Sequence, residues 1–137
     1  MQFKDFQEQL SKIGKLSLPG ESVQYEMAPL ERVKEIKDIE IDKRNPRWAG
    51  VLALFYPSLS REAKLALILR KTYKGVHSNQ VGFPGGKAEV YDKDIEETAL
   101  RETEEEIGVK KNTVTVLKQM TKIYIPPSNF WVQPFVG

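Results

Sequence analysis

The apolar positions along the chain predict helices in its first third and mainly strands after it. Over residues 3–15 these positions recur at spacings of three and four, the pattern of an amphipathic helix, which ends before the proline-glycine pair at 19–20. The same pattern predicts a second helix over residues 30–39. We therefore expect a helical extension over residues 1–45 and one further domain over residues 46–137.

Four segments of the second part have the composition of β-strands. The first, residues 50–56 (GVLALFY), is almost wholly apolar and precedes a turn at Pro57, which indicates a buried strand. Pro134 is expected to interrupt the last strand, because proline removes a backbone donor from a sheet. The remaining segments are residues 64–69, residues 113–125, which predict one strand or a bent pair, and residues 130–136.

Residues 94–107 predict the most regular element of the chain, a helix between these strands. Asp92 or Asp94 is expected to cap its first N–H groups, and Gly108 follows its last turn. Strands on both sides of one strong helix predict a mixed α/β (α+β) sheet domain.

The composition narrows the classes of function. Hydrophobic residues make up 40% of the 137 residues and charged residues 29%, as in soluble globular domains. The absence of cysteine excludes disulfides, thiol nucleophiles and thiolate metal sites. A net charge of +2 gives no electrostatic case for nucleic-acid binding. No apolar stretch is as long as a signal-peptide core or a membrane span, so we expect a cytoplasmic protein without a membrane partner.

Three glutamates of the predicted helix share one face. Glu102, Glu105 and Glu106 stand at positions i, i+3 and i+4, where exposed like charges repel by roughly a few tenths of a kcal/mol per pair. A cation such as Mg²⁺, which prefers carboxylate and water oxygens, would explain this clustering. Arg101 could orient one carboxylate through a forked hydrogen bond. Acidic runs on helices are more often solvated surfaces, so the glutamates alone do not establish a metal site.

The loop before the helix makes the metal interpretation more specific. Residues 83–86 (FPGG) combine a proline, whose φ is fixed, with two glycines that are free to adopt positive φ. Such a loop can bring a backbone carbonyl or N–H group close to a metal ion or a phosphate. A glycine pair followed by this acidic helix is a far more specific combination than either feature alone.

Residues 85–109 resemble the sequence box of the Nudix hydrolase family. The box is glycine, five residues, glutamate, seven residues, Arg-Glu, an apolar residue, any residue, Glu-Glu, any residue, glycine and an apolar residue. Asp92 replaces the first glutamate, one extra residue precedes Arg101, and Thr103 replaces the apolar residue. The positions that match are Gly86, Arg101, Glu102, Glu105, Glu106, Gly108 and Val109.

This resemblance implies a fold, a cofactor and a set of roles. The fold is an α/β/α sandwich with a mixed sheet. Mg²⁺ or Mn²⁺ is held by Glu102, Glu105, Glu106 and the Gly86 carbonyl, and the reaction is hydrolysis of a diphosphate linkage in a small nucleotide substrate. The three glutamates and Arg101, which would orient them, are the implied catalytic residues.

Two features resemble one branch of the family, the coenzyme A pyrophosphatase-like proteins. These features are residues 83–87 (FPGGK) and the helix segment 98–102 (TALRE) with its extra residue. The upstream signature of that branch is only partly kept. Arg70, His77 and Gln80 match it, whereas the positions expected to hold threonine, a small residue, arginine and glycine hold Ile68, Lys71, Gly75 and Asn79. The resemblance implies that coenzyme A or an acyl-CoA is the substrate.

Positive charge just before the box would face a polyphosphate. The lysines of this segment could equally be solvated loop residues, and a single histidine is often structural or exposed. Residues 126–130 (PPSNF) also recur in the branch, and we expect them to form a rigid loop near the site, with a role that the sequence does not assign. The predicted substrate-binding residues are Arg70, Lys71, His77, Gly85, Gly86 and Lys87.

Two further interpretations stay open at this point. The same chemistry could act on ADP-ribose, a dinucleotide or a nucleoside triphosphate, or the chain could be a Nudix-like module that binds a phosphate ligand without turnover. Family members continue with further strands and a helix beyond a segment like residues 134–137, so we expect a C-terminally incomplete fold with an exposed sheet edge. Another chain, as in a homodimer, could cover that edge.

Overall fold

Helices make up most of the first 45 residues, and strands with one long helix make up the rest. The computed structural model describes residues 1–70 and 80–137. The helices are α1 (Phe3–Leu10), α2 (Glu21–Glu26), α3 (Leu30–Asp38) and α4 (Ile95–Ile107). The strands are β1 (Arg47–Ala53), β2 (Phe55–Pro57), β3 (Ala63–Leu65), β4 (Ile68–Leu69), β5 (Val81–Gly82), β6 (Gly85–Lys87), β7 (Lys118–Gln119), β8 (Ile123–Ile125) and β9 (Phe130–Val136).

The main sheet of the described residues is mixed and has five strands. Its order is β6-β1-β9-β7, and β8 also pairs with β9. Strands β1 and β9 run parallel over their full length, from the pair Arg47 and Phe130 to the pair Ala53 and Val136. The other pairings of this sheet are antiparallel. Strands β2 and β3, and strands β4 and β5, form two antiparallel hairpins. The mixed sheet with helices confirms the predicted fold class.

One glycine allows helix α4 to lie directly on the sheet. A Cβ atom added at Gly50 in β1 would stand 2.5 Å from the carbonyl oxygen of Ile95 and 2.9 Å from the amide nitrogen of Ala99. Only a residue without a side chain fits there. The resulting contact encloses a core in which Leu52 and Ala99 are fully buried beside Phe135. This close approach brings the glutamate face of α4 beside strand β6.

Helix α4 begins and ends where the sequence predicts. The Asp94 carboxylate accepts a hydrogen bond from the Glu97 amide at 2.8 Å, and Asp94 has extended backbone angles. Gly108 ends the helix with a left-handed φ of 76°. Asp94 is therefore the cap, and Asp92 is free for a different contact, described below.

Several strand predictions were wrong in detail. The apolar run 50–56 belongs to two strands that break at Leu54, and the run 64–69 is divided between β3 and β4. Helix α2 was missed, while residues 113–125 contain a pair of short strands, as one of the two predicted options stated.

Strand β9 is not interrupted at Pro134, contrary to expectation. Proline lacks the N–H group, but its carbonyl still accepts a hydrogen bond from the Met120 amide at 2.9 Å. The residue stays in the β1–β9 register opposite Val51. One missing donor therefore does not end the strand, because the neighbouring residues keep their pairing on both sides.

The N-terminal helices contact the sheet domain. The rings of Phe6 in α1 and Phe55 in β2 have centroids 4.7 Å apart. The Gln24 side-chain amide in α2 donates to the Thr121 carbonyl at 3.0 Å. A separate extension over residues 1–45 remains a prediction. Among the helices of the described residues, none has the length and hydropathy required to cross a membrane.

Candidate active site

A cavity of about 490 Å³ lies between strands β1, β6 and β9 and the glutamate face of helix α4. One end is polar and charged, with Arg70, Lys87, Glu102 and Glu106 in its wall. The other side is a mostly apolar surface formed by β1, β8, β9 and the loop before β9. The residues of that surface are Ala49, Val51, Ile125, Ser128, Phe130 and Val132. The cavity therefore joins a charged end to an apolar end.

The glycine pair of β6 lies against two of the glutamates. The Gly85 amide donates a hydrogen bond of 2.8 Å to Oε2 of Glu106. A Cβ atom at Gly86 would stand 2.5 Å from the Glu102 carboxyl carbon. Gly85 itself has a φ of 148°, and a Cβ there would lie 2.3 Å from the Gly50 carbonyl oxygen. The predicted loop and the predicted helix face thus meet. A side chain at Gly86 would collide with Glu102, and one at Gly85 would collide with the backbone of β1.

Arg101 is the centre of a network of carboxylates. Its Nε donates to Oδ1 of Asp92 at 2.8 Å, and its Nη2 donates to Oδ2 at 3.0 Å. Its Nη1 reaches Glu102 at 2.9 Å and Glu105 at 3.3 Å. Nη2 also donates to the Lys87 carbonyl at 3.2 Å. One guanidinium therefore links the loop, the helix start and two of the three glutamates.

The environment shifts three of these ionisable groups. Hydrogen bonds from Arg101 hold the pKa of the Asp92 carboxyl well below its usual range, and Asp92 in turn raises the pKa of Arg101. Burial raises the pKa of Glu102, and the charges of Glu105 and Glu106 add to that rise, although Arg101 opposes it. Burial therefore disfavours the ionised form of Glu102, even beside Arg101.

The donor set fits a hard divalent cation in its chemistry. The described part of the chain has no group of three His, Asp or Glu side chains already arranged to hold a metal ion. Glu102 and Glu105 point to Arg101, and Glu106 points to the Gly85 amide. Carboxylate oxygens on one helix face, one of them partly desolvated, are nevertheless the ligands that Mg²⁺ or Mn²⁺ prefers. Because the Glu105 side chain is 58% exposed, it is free to change rotamer.

The predicted substrate-binding residues divide into two groups. Arg70, Gly85, Gly86 and Lys87 line the cavity. Lys71 and His77 lie outside the described residues. These roles remain predictions, as do the roles of the glutamates.

One structural feature of the site was not anticipated, and one expected loop is found there. Gly50 determines how closely α4 approaches the sheet. The signal in the sequence was a glycine in an otherwise apolar run. Ser128 and Phe130 line the cavity, so the loop at residues 126–130 lies near the site as predicted, and the alternation of β9 places Phe130 on the same face as Val132. That alternation alone could not say which face of the sheet carries the cavity.

The fold and site define the class of protein. The family model of the NUDIX domain matches residues 46–136. The chain is 42% identical over 86 residues to an uncharacterized Nudix hydrolase, NudL, of Yersinia enterocolitica, covering 62% of this chain and 44% of that protein. It is 35% identical over 97 residues to Nudix hydrolase 15, mitochondrial, of Arabidopsis thaliana, covering 71% of this chain and 32% of that protein. The chain therefore belongs to the Nudix family.

A solved structure supports the same fold. The chain resembles a MutT/nudix family protein from Enterococcus faecalis with a TM-score of 0.55 and 21% identity, over 82% of this chain and 45% of that one. At this identity the likeness shows the fold alone. The chain also spans less than half the length of the curated relatives that it matches.

Proposed function

We propose that this protein hydrolyses a diphosphate linkage in a nucleoside diphosphate derivative, with coenzyme A or an acyl-CoA as the first candidate substrate. The observation that carries the proposal is the meeting of Glu102 and Glu106 with the glycine pair at the charged end of the cavity. Family membership supports hydrolysis of such linkages in general. The coenzyme A assignment rests on residues 83–87 and on the helix segment 98–102, which resemble that branch.

The charged end of the cavity supplies the groups that such a reaction needs. Glu102, Glu105 and Glu106, with the Gly86 carbonyl, would hold Mg²⁺ or Mn²⁺. When bound, the ion would neutralise the diphosphate and lower the pKa of a water molecule. Arg70 and Lys87, which line the same cavity, would hold the phosphate oxygens through charge-assisted hydrogen bonds. One of the glutamates would accept the proton of the attacking water.

Arg101 would act as a positioning residue. Its guanidinium is engaged by Asp92 through two hydrogen bonds and by the Lys87 carbonyl through a third. These contacts fix the direction from which it reaches Glu102 and Glu105. Arg101 would therefore keep two carboxylates in place and remain apart from the reacting phosphorus.

Product analysis by mass spectrometry tests the proposal. The full chain is incubated with coenzyme A, ADP-ribose or a dinucleotide, with Mg²⁺ or Mn²⁺ or with a chelator, beside Glu105→Gln. Metal-dependent release of phosphopantetheine and adenosine 3′,5′-bisphosphate, lost in the variant, is the expected result. Glu96→Gln, at an exposed position of the first turn of the same helix, is the matched control and should retain activity. Cleavage of another substrate would keep the chemistry and overturn the coenzyme A assignment.

A second function is favoured by one observation. Arg101 binds Glu102 and Glu105, and the Gly85 amide binds Glu106, so within the described residues these three carboxylates do not form a ready metal site. A protein that bound its phosphate ligand in this arrangement would not turn it over. Tight binding of a nucleotide without any product, in the presence of either metal, would favour this binding module over the hydrolase.

A further inference from the structure

Among the described residues that line the cavity, one has an aromatic ring, and a cation lies over that ring. Phe130 lines the cavity, and the guanidinium carbon of Arg47 stands 4.3 Å from the centroid of its ring. Arg47 stands opposite Phe130 in the β1–β9 register and covers one face of the ring. Nη2 of Arg47 also donates to the Ser128 carbonyl at 3.3 Å, which ties the guanidinium to the loop. The cation–π contact therefore holds the ring while leaving part of it open to the cavity.

The loop before Phe130 is fixed by several hydrogen bonds. Asn129 adopts a left-handed φ of 54°, a conformation that asparagine tolerates better than most residues. Its side-chain oxygen accepts from the Tyr124 hydroxyl at 2.8 Å, and its side-chain nitrogen donates to the Arg44 carbonyl at 2.8 Å. Pro126, at the start of the loop, is fully buried. These contacts fix the backbone conformation before Phe130, and with it the position from which the ring projects.

The surroundings of the ring match a planar group with polar edges. Val51, Val132 and Ile125 supply flat apolar surface beside it. Ser128 lines the same region, and within the part of the chain that the structure describes its hydroxyl donates one long hydrogen bond of 3.5 Å, to the Ile125 carbonyl, so it can turn to a ligand. A saturated acyl chain would need neither an aromatic ring nor a hydroxyl group. A nucleobase needs a stacking partner and a hydrogen-bonding partner at its edge.

We propose that Phe130 is the platform on which the nucleobase of the ligand stacks, with Ser128 at the edge of the base. The inference rests on the proposed function, because it concerns the same cavity. Base stacking on an aromatic side chain typically strengthens binding by about 5- to 150-fold. Arg70 and Lys87 at the other end of the cavity would take the phosphates, so base and phosphate would bind at opposite ends.

The test compares a ligand with and without its base and does not require hydrolysis. Dissociation constants of adenosine 5′-monophosphate and ribose 5-phosphate are measured by isothermal titration calorimetry for the full chain, Phe130→Leu and Phe130→Tyr. The nucleotide is expected to bind at least about 5-fold more tightly than the sugar phosphate. Phe130→Leu should remove that ratio while leaving the affinity for ribose 5-phosphate unchanged, and Phe130→Tyr should keep it. Tyr56→Leu makes a comparable change at a half-exposed ring outside the cavity and should change neither constant.

Two results would overturn the inference. One is an unchanged ratio in Phe130→Leu; the other is an equal loss of affinity for both ligands, which would give the ring a structural role only. If Phe130→Leu does not fold, NOEs between purine protons and ¹³C-labelled phenylalanine in the unsubstituted chain decide. Contacts to a ring that disappear in Phe130→Tyr support the platform, and contacts only to other rings exclude it. Base-dependent binding without product would contradict the hydrolase and keep the platform, so the two failures are distinguishable.

Discussion

The Arg101 guanidinium and the Asp92 carboxylate form a two-point contact, Nε to Oδ1 at 2.8 Å and Nη2 to Oδ2 at 3.0 Å. The Asp92 carboxylate also accepts hydrogen bonds from the Thr98 hydroxyl at 2.8 Å and from the Glu89 amide, and its side chain is only 3% exposed. Asp92 stands where the family pattern has glutamate, with one extra residue before Arg101. The change from glutamate to aspartate, with its extra residue, therefore still places a carboxylate here whose two oxygens are both hydrogen-bonded.

Loss of the Asp92 charge should destabilise the protein strongly. In Asp92→Asn, Arg101 would keep Glu102 and Glu105 but lose its two-point carboxylate partner while its side chain stays only 15% exposed, and weakening one side of such a pair lowers the free energy of unfolding by about 2–4 kcal/mol. Urea unfolding followed by circular dichroism measures the change. Asp94→Asn is the matched control, because asparagine caps a helix about as well as aspartate, and it should cost less than about 0.5 kcal/mol. Equal effects of the two substitutions would refute the special role of Asp92.

The contribution of Asp92 to the free energy of unfolding should disappear in acid. Arg101 lowers the pKa of this carboxyl in the folded protein, so the unfolded chain, with a pKa of about 3.9, binds the proton more readily. Stability therefore rises with pH between the two pKa values. The difference in free energy of unfolding between the unsubstituted chain and Asp92→Asn should be constant above pH of about 5 and fall below pH of about 4. A difference that shrinks already near neutral pH would contradict this assignment.

Removal of the Glu102 charge should stabilise the metal-free protein and abolish hydrolysis. Burial and two neighbouring glutamates raise the pKa of Glu102, so its ionised form opposes folding once the pH exceeds the unfolded value. Relief of two like-charge contacts in Glu102→Gln should raise the free energy of unfolding at pH 7 by about 0.5 kcal/mol, and this gain should vanish below pH of about 4. Thermal unfolding in the presence of a chelator is the measurement.

The control for this prediction is Glu104→Gln on the same helix. Lys110 and the Lys111 amide bind the Glu104 carboxylate and lower its pKa, so its charge favours folding. This substitution should lower the unfolding temperature and leave hydrolysis intact. If both glutamines shifted the temperature in the same direction, the distinction between the two faces of α4 would be wrong.

The two glycines of β6 should respond differently to alanine. In Gly86→Ala the new Cβ meets the end of the Glu102 side chain, which can move, so activity should drop about 100-fold with little loss of stability. In Gly85→Ala it meets the backbone of β1 in a conformation that alanine rarely adopts, and stability should fall by more than about 3 kcal/mol. Steady-state kinetics and urea unfolding of both variants separate the cases. Equal stability of the two variants would contradict the geometry.

Sequence patterns predicted the elements that local chemistry controls. Three features of α4 depend only on residues within about two helical turns of one another. They are the cap at Asp94, the positive φ of Gly108 and the shared face of the glutamates. Short-range rules therefore sufficed for helix α4. The break of the apolar runs at Leu54 and the continuation of β9 through Pro134 depend on partners far along the chain, and the sequence rules for strands failed there.

What the sequence by itself determined is the acidic helix, the glycine pair before it and, from both, the resemblance to the Nudix family. Only the tertiary structure decided what these parts touch. Gly50 lets α4 approach the sheet, and that approach brings Glu102 against Gly86. The parallel pairing of β1 with β9 places Phe130 in the same cavity as the glutamates. The physical reason is that contacts between residues 16 to 83 positions apart depend on how closely backbones pack, which no local periodicity encodes.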